Sequence, residues 1–380
     1  MSRFLDLVSQ PAREMAVYCP KLPQQAPEAH PHIIRLDSNE NPFGPSPRAI
    51  AAMKAAVLST NLYPDDDCTQ LRRKIAAHHD LPVEQVLVTA GSAGMLALLC
   101  QTLLAPGLNA VTSERSFIVY GMAVHAVGAQ FIETPMKDDT FDLEAILRAI
   151  NENTRLVFLA NPNNPTGTMV DAEAVEQFLA QVPGHVVAVL DEAYYEYAGC
   201  FAEHRKVEYS RSWQWLRQGE GVVILRTFSK AHGLAGLRIG YGLGPAELLG
   251  YCARLRSTYS VSSLAEAAAL AAMDDQDHIA RTVSSNAQQA EILNCRLSEL
   301  GFRVAPTAGN FLYCDLSRDA AQVTEQLLRQ GVSVRPLGTW GAPTCMRVSI
   351  GTPEQNQIFL DAVQRLVNEP HSLAPKRGAR

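Results

Sequence analysis

Short apolar segments alternate with helical patterns through the middle of the chain. Residues 86–89 predict a strand and residues 94–104 the helix after it; residues 156–160 and 172–181 repeat the pair. Strand, helix and strand in this rhythm favour crossover units and a mainly parallel sheet covered by helices. We therefore predict an α/β fold. Further strands are predicted at residues 110–113, 186–190, 222–226 and 239–243.

The pattern changes near both ends of the chain. Residues 1–45 are rich in proline, which breaks long helices, and predict an extended N-terminal arm. Residues 46–250 form the predicted large domain. Long helical segments followed by short strands predict a smaller α+β domain at residues 251–367. The polar residues 368–380 predict a disordered tail.

Composition excludes several classes of protein. The net charge of −6 gives no basic field for nucleic acid. The longest apolar runs, residues 186–190 and 222–225, are far shorter than the roughly 20 residues that cross a bilayer. The N-terminus has no apolar core of the signal-peptide type. Eight cysteines occur singly, without metal-ligand spacing, and predict reduced thiols in a cytoplasmic protein.

The strongest chemical signal is RTFSKAHGLAGLRIGYG at residues 226–242, where a single lysine, Lys230, follows a strand among small and hydroxyl residues. Burial in a cleft would lower the lysine pKa, and a neutral amine attacks an aldehyde. Thr227, Ser229 and Arg238 are suitable donors to a phosphate group. A solvated lysine in a surface loop is the alternative.

Two strand ends supply further candidates. In VVAVLDEAYYEY, residues 186–197, five apolar residues lead into Asp191, so its carboxylate is expected in the crevice at the carboxyl ends of the strands. A helix N-cap is the alternative role. In LANPNNPTGTMV, residues 159–170, prolines would hold Asn164 at a set angle, unless the segment is only a rigid turn.

Two other segments fit anionic groups. In VLVTAGSAGMLALL, residues 86–99, a turn of small residues precedes a helix whose first N–H groups would bind an anion. The spacings of nucleotide-binding loops are missing there. Arg347 lies inside an alternating strand, where its guanidinium suits an amino-acid carboxylate; a solvent-facing arginine is the alternative.

Together these segments resemble the fold-type I aminotransferases that depend on pyridoxal phosphate (PLP), and most of all the histidinol-phosphate aminotransferase group. The resemblance extends from Arg35 to about Val367, with five motifs in the family order. SNENPFGPSP (38–47) and LYPD (62–65) match as well. It implies amino-group transfer between an amino acid or amine, histidinol phosphate-like or aromatic, and 2-oxoglutarate.

The resemblance also implies residue roles. Lys230 would carry the cofactor as a Schiff base, Asp191 would face its pyridine nitrogen, and Tyr194 and Asn164 would contact its ring hydroxyl oxygen. The other implied cofactor positions are Ser92, Ala93, Gly94, Phe117, Thr227, Ser229 and Arg238. The implied substrate positions are Arg347, Arg335, Tyr18 and Asn41. Tyr63 matches a tyrosine that reaches the neighbouring subunit, which implies a homodimer.

Four positions depart from the family pattern. Ala93 and Gly94 replace a usual acidic pair, although backbone donors survive that change. Phe117 replaces a common tyrosine and keeps the ring face. His232 is usually apolar or aromatic in relatives; it is expected either to pack or to reach the substrate pocket. A PLP-dependent lyase, decarboxylase or cyclase is therefore an alternative, because the scaffold does not decide which bond breaks.

Overall fold

The computed structural model of this 380-residue chain describes residue 4 and residues 7–17, 33–218 and 221–368. Fifteen strands are described in these ranges: β1 Ile34–Arg35, β2 Val86–Thr89, β3 Asn109–Ser113, β4 Gln130–Thr134, β5 Met136–Lys137, β6 Thr140–Phe141, β7 Thr154–Ala160, β8 Val187–Asp191, β9 Val222–Thr227, β10 Gly240–Leu243, β11 Arg303–Val304, β12 Phe311–Asp315, β13 Val332–Ser333, β14 Arg335–Pro336 and β15 Cys345–Ser349.

Helices connect and cover these strands. The α-helices of the described residues are α1 Gln10–Glu14, α2 Pro47–Ala56, α3 Thr69–His79, α4 Ser92–Leu103, α5 Val119–Ala126, α6 Leu143–Ala149, α7 Ala172–Leu179, α8 Tyr195–Arg205, α9 Ser212–Gln218, α10 Ala246–Leu255, α11 Ser263–Met273, α12 Gln276–Glu299, α13 Ala320–Arg329 and α14 Pro353–Asn368. Short 3-10 helices lie at Val57–Ser59, Val83–Gln85, Ala235–Leu237 and Gly338–Trp340. Within these parts of the chain, every helix is too short or too polar to span a membrane.

Seven strands form the large sheet, in the order β2-β10-β9-β8-β7-β3-β4. All its neighbouring pairs are parallel except those of β10, which runs antiparallel to both β2 and β9. The central strands β8 and β9 are almost wholly buried, as their continuous apolar runs predict for a sheet covered on both faces. The α/β prediction is confirmed. The edge strand β4 has a mixed polar sequence and was not predicted.

A four-stranded antiparallel sheet, the small sheet, has the order β11-β12-β15-β14. It packs with α12, α13 and α14 around a second hydrophobic cluster that includes Leu312, Val348 and Phe359. The N-terminal strand β1 pairs in parallel with β13 beside this cluster. Residues 34–41 therefore run close to the small sheet rather than projecting away from it.

The strand order decides where polar groups meet. The carboxyl ends of β2, β3, β7, β8 and β9 lie at one edge of the large sheet, because these five strands run in the same direction. The loops that follow them contain the motifs singled out from the sequence. A crevice at the carboxyl ends of the strands is where open α/β sheets bind ligands.

Candidate active site

Lys230 follows β9 in a loop that turns back over the sheet. Its Nζ lies 3.3 Å from the carbonyl oxygen of Asn39 and 3.5 Å from that of Ser38. Burial, together with the nearby positive charge of Arg347, lowers the pKa of the Lys230 amine to about 8. A larger share of the amine is therefore neutral near pH 7 than for an exposed lysine. The surface-loop alternative is wrong.

Asp191 ends β8 and is 4% exposed. Burial raises the pKa of its carboxyl to about 6, while a hydrogen bond from the Tyr120 hydroxyl, 2.9 Å away, acts in the opposite direction. The backbone N–H of Ala193 also donates to it, at 3.2 Å. Asp191 and Lys230 interact electrostatically, so the two side chains lie near each other at the carboxyl ends of β8 and β9. Tyr194, not Asp191, is the N-cap residue of α8.

The small-residue turn after β2 lies against Arg238. Gly91 is the N-cap of α4 with φ of 74°, and no side chain caps the helix. The positive φ favours glycine at this position, and a Cβ atom there would lie 2.7 Å from the Arg238 guanidinium and displace it. Ser92, Ala93 and Gly94 form the first turn of α4, so this helix begins two residues before its predicted start at residue 94.

Hydroxyl groups complete this corner of the site. The Ser229 hydroxyl accepts from Arg238 at 3.4 Å, and the Thr227 hydroxyl accepts from the backbone N–H of Ser229 at 3.1 Å. A guanidinium, two hydroxyls and the open N–H groups of a 12-residue helix are together a donor set for a phosphate. These residues fit the phosphate of PLP.

Arg347 is buried on β15, with 6% of its surface exposed, so the solvent-facing alternative is wrong. Its guanidinium donates to the side-chain oxygen of Asn164 at 2.6 Å and to the backbone oxygen of Asp37 at 2.8 Å. Because the Asn164 carbonyl accepts from Arg347, its amide NH2 group is the part that can donate to a ring oxygen. The turn at Asn164 is therefore more than a rigid connection.

Arg335 lies directly opposite Arg347 in the register of β14 and β15. It also donates to the backbone oxygen of Asp37, at 3.3 Å. Two like charges at opposed positions are unfavourable without an anion between or beside them. Arg335 further lines a cavity of about 1300 Å³ between α1, α5 and α13, bordered by Trp340.

Tyr194 and the N-terminal loop are held together. The Tyr194 hydroxyl accepts from the Asn39 side chain at 2.9 Å, and burial raises the pKa of Tyr194 to about 12. The Asn41 side chain donates to the backbone oxygen of Ala231 at 2.8 Å, next to Lys230. Asn41 therefore fixes the loop to the lysine segment.

The other residues singled out from the sequence lie in different parts of the structure. Phe117 follows β3 and meets the Tyr120 ring edge-on at 5.6 Å between centroids. Tyr63 lies on the outer surface, 81% exposed, stacked on Tyr259. His232 packs edge-on against Phe228, with Nδ1 4.0 Å from the Glu196 carboxylate. Tyr18 lies outside the described residues.

Some site residues were not predicted. Tyr120 contacts Asp191 across 71 positions of sequence. Asn39 contacts Tyr194 from within the quoted SNENPFGPSP segment. The only available signals were an aromatic residue three positions after Phe117 and an asparagine two positions before Asn41. Neither signal indicates a contact partner.

Comparison with known proteins identifies the family. Residues 31–363 match the family model of aminotransferase class I and II. The chain belongs to this family. The aminotransferase is 43% identical over 375 residues to histidinol-phosphate aminotransferase 2 of Pseudomonas aeruginosa, covering 97% of this chain and 99% of that protein. It is 38% identical over 368 residues to histidinol-phosphate aminotransferase of Akkermansia muciniphila, covering 95% and 99%.

A solved structure agrees with these relatives. The histidinol-phosphate aminotransferase from Sinorhizobium meliloti, in complex with pyridoxal-5'-phosphate, matches with a TM-score of 0.86 at 28% identity over 97% of this chain and 98% of that chain. The aminotransferase is a PLP-dependent transaminase of fold type I, as the resemblance predicted. Among the chemistries left open by the sequence, these comparisons identify transamination.

Proposed function

We propose that the aminotransferase moves the amino group of histidinol phosphate to 2-oxoglutarate. The opposed pair Arg335 and Arg347, of which Arg347 acts electrostatically on Lys230, is the observation that carries this proposal. Both proposed substrates carry anionic groups, and guanidinium groups bind carboxylate and phosphate in a forked geometry. The relatives of about 40% identity are named for histidinol phosphate, which supports it as the amino donor.

The proposed cofactor contacts follow from the fit described above. Lys230 would hold PLP covalently, Asp191 would lie against its ring nitrogen, and Asn164 with Tyr194 would contact its ring oxygen. Phe117 would cover a ring face. The phosphate would be held by the turn and loop residues Ser92, Ala93, Gly94, Thr227, Ser229 and Arg238. When bound, PLP supplies an electrophilic carbon and a ring that withdraws electrons from the substrate α-carbon.

The protein's own groups divide the remaining work. The Lys230 amine, neutral in a fraction set by its lowered pKa, would take a proton from the substrate and return it. Arg347 would orient the substrate through its anionic group, and its contact with Asn164 would keep that orientation constant. The burial of Asp191 and Arg347 excludes water from these charges and strengthens their interactions.

The proposed assembly is a homodimer in which Tyr63 reaches the site of the partner. An exposed apolar surface around Tyr63 supports this: Leu58 is 88% exposed, Leu62 is 64% exposed, and Tyr259 is partly exposed beside them. Exposed apolar patches of this kind mark contact surfaces. A cytoplasmic location is also proposed; the seven cysteines within the described residues are free thiols.

Two assays test the function. Purified enzyme is offered histidinol phosphate, aromatic amino acids and other amines with 2-oxoglutarate, and glutamate formation is measured. We expect histidinol phosphate to give the highest kcat/KM; preference for an aromatic amino acid would replace the donor proposed here. In the second assay, Lys230→Ala should lose both the visible absorbance of the bound cofactor and the activity. Retention of both by this variant would exclude Lys230 as the cofactor lysine.

A further inference from the structure

Asp139 is a buried carboxylate in a short hairpin between β5 and β6. It occupies a two-residue turn with Asp138, and both residues have positive φ, 57° and 51°. Such φ values suit a two-residue hairpin turn, where aspartate is common. The turn does not require burial, however. Asp138 is exposed, whereas Asp139 is 7% exposed.

The Asp139 carboxylate joins two distant parts of the molecule. Oδ1 accepts from Arg115, which follows β3 of the large sheet, at 2.9 Å. Oδ2 accepts from Arg303, on β11 of the small sheet, at 2.6 Å. A carboxylate removed from water between two guanidinium groups makes strong, directional hydrogen bonds. The pairing therefore fixes a distance between the two sheets.

The Asp139 backbone oxygen is the end of a buried hydrogen-bond chain. It accepts from the Thr168 hydroxyl at 2.7 Å, and Thr168 lies 2.9 Å from the Thr166 hydroxyl. The Asn163 amide donates to Thr166 at 2.9 Å. Since Thr168 donates to Asp139, Thr166 must donate to Thr168, so all bonds of the chain point one way. Aligned bonds of this kind strengthen one another.

Asn163 connects this chain to the loop after β3. Its amide also donates to the backbone oxygen of Arg115 at 2.9 Å, and its side-chain oxygen accepts from the Ser116 hydroxyl at 3.1 Å. Phe117 and Asn164, two proposed cofactor contacts, are the next residues in these two loops. The network thus sets the spacing of Phe117 and Asn164.

The small-sheet region also contacts the same two loops directly. The Trp340 indole N–H donates to the backbone oxygen of Ser116 at 3.0 Å. Arg347 donates to the side chain of Asn164 at 2.6 Å. Arg303 reaches these loops through the Asp139 carboxylate, which also pairs with Arg115. Of Trp340, Arg347 and Arg303, only Arg303 makes its contact with a buried carboxylate.

We propose that Asp139 is a positioning residue that couples the small sheet, which carries Arg347, to the Phe117 and Asn164 loops. This inference rests on the proposed roles of Phe117, Asn164 and Arg347. Asp139 touches neither cofactor nor substrate in this role. Its pairing with Arg303 keeps the substrate-binding arginine at a constant distance from the cofactor contacts.

The test compares Asp139→Asn with Asp138→Asn in the holoenzyme. Asparagine keeps the size of Asp139 and removes its charge, and Asp138 is the exposed neighbour in the same turn. We expect Asp139→Asn to lower kcat/KM about tenfold, as for loss of a charge-assisted hydrogen bond. We also expect an altered circular dichroism signal in the absorption band of the bound cofactor. Asp138→Asn should change neither quantity.

The partner variant Arg303→Gln checks the route of the effect. Arg303 is 57% exposed, so its replacement should leave the fold intact even if Asp139→Asn impairs folding. It should alter the same dichroism signal and lower kcat/KM. The double variant should be no more than about twofold worse than Asp139→Asn, because both changes break one linkage. The proposal would be overturned if the losses of kcat/KM in the two single variants multiply in the double variant. It would also be overturned if the dichroism signal is unchanged in both single variants.

Failure of the proposed function remains distinguishable. If wild-type enzyme does not use histidinol phosphate, the donor proposal fails, yet the dichroism of the bound cofactor still reports on Asp139 without any substrate. If histidinol phosphate is used and the Asp139→Asn spectrum matches wild type with only a lower melting temperature, the residue is merely structural and the positioning role is wrong.

Discussion

Asp191 and Glu192 are adjacent carboxylates at the end of one strand, and both are almost completely buried. Glu192 is fully compensated: Arg226 lies 2.6 Å from it, and the hydroxyls of Ser210 and Ser212 donate to it at 2.6 to 2.8 Å. The described partners of Asp191 are the hydroxyl of Tyr120 and one backbone N–H. Successive strand residues face opposite sides of the sheet, so the two carboxylates meet different surroundings.

The difference separates a structural charge from a functional one. Arg226 is held between aromatic faces, with its guanidinium carbon 3.3 Å from the centre of the Tyr195 ring and 5.1 Å from that of Trp213. This closed arrangement leaves no role for a ligand. Asp191 has a raised pKa and, among the described residues, no cation in hydrogen-bonding contact, which favours a cationic ring nitrogen as its partner. A carboxylate thus stabilises the fold at Glu192 and is available to bind a ligand at Asp191.

The largest effect is expected on the structural side. Glu192→Ala leaves the Arg226 charge buried and unpaired, which should lower the free energy of unfolding of the apoprotein by about 3–5 kcal/mol. Urea denaturation measures this. The double variant with Arg226→Met should be less destabilised than the single one, because no isolated charge remains. A single variant within about 1 kcal/mol of wild type would contradict the comparison.

On the functional side, Asp191→Asn should lower kcat by about 10²–10³-fold, since a preorganised charge is lost. The apoprotein should become more stable at pH 7. The native pKa of about 6 lies above the usual value of 3.8, so Asp191 contributes stability below pH 4 that is lost as pH rises through 6. Steady-state kinetics measure the loss of kcat, and melting curves of the apoprotein from pH 4 to 7 measure the change in stability. A less stable apoprotein at pH 7 would disprove the assignment.

A smaller change is expected for Tyr120→Phe. It removes the hydrogen bond to Asp191, worth about 1.5–3 kcal/mol for a charged acceptor, and keeps the ring stacked on Phe158. Since that bond lowers the Asp191 pKa, its loss should raise the pKa further. The affinity of the apoprotein for the cofactor is then measured as a function of pH. As the pH is lowered, this affinity should begin to fall at a higher pH than in wild type, because Asp191 becomes protonated earlier. Coincident profiles would show that the hydroxyl has no influence on Asp191.

The smallest expected effect is a shift in the pH at which the apoprotein reacts with PLP. The rate at which apoprotein combines covalently with PLP should rise with pH through a midpoint near 8, as the Lys230 amine loses its proton. Arg347→Met removes a positive charge that lowers this pKa, so the midpoint should move to higher pH. Stopped-flow absorbance measures the rate. A midpoint unmoved by Arg347→Met would place Arg347 outside the field acting on Lys230.

Local sequence patterns predicted much of the fold. Strand β2 has the predicted bounds, β9 extends one residue beyond its predicted end, and β8 is shifted by one residue at both ends. The strand β4, the hairpin of β5 and β6, and the helices α6, α8, α9 and α10 were not predicted, because short or mixed segments carry weak periodicity. The domain boundary near residue 250 and the disordered tail stay predictions; residues 369–380 lie outside the described ranges.

The sequence by itself determined that Lys230 and Asp191 follow apolar strands, since a buried strand and the residue after it are neighbours along the chain. Only the tertiary structure decided that Arg347 is buried, that Tyr120 holds Asp191, and that Asp139 joins the two sheets. These contacts link residues separated by 24 to 310 positions. Periodicity reports which face of an element is apolar, whereas the partner of a buried polar group depends on how distant elements pack.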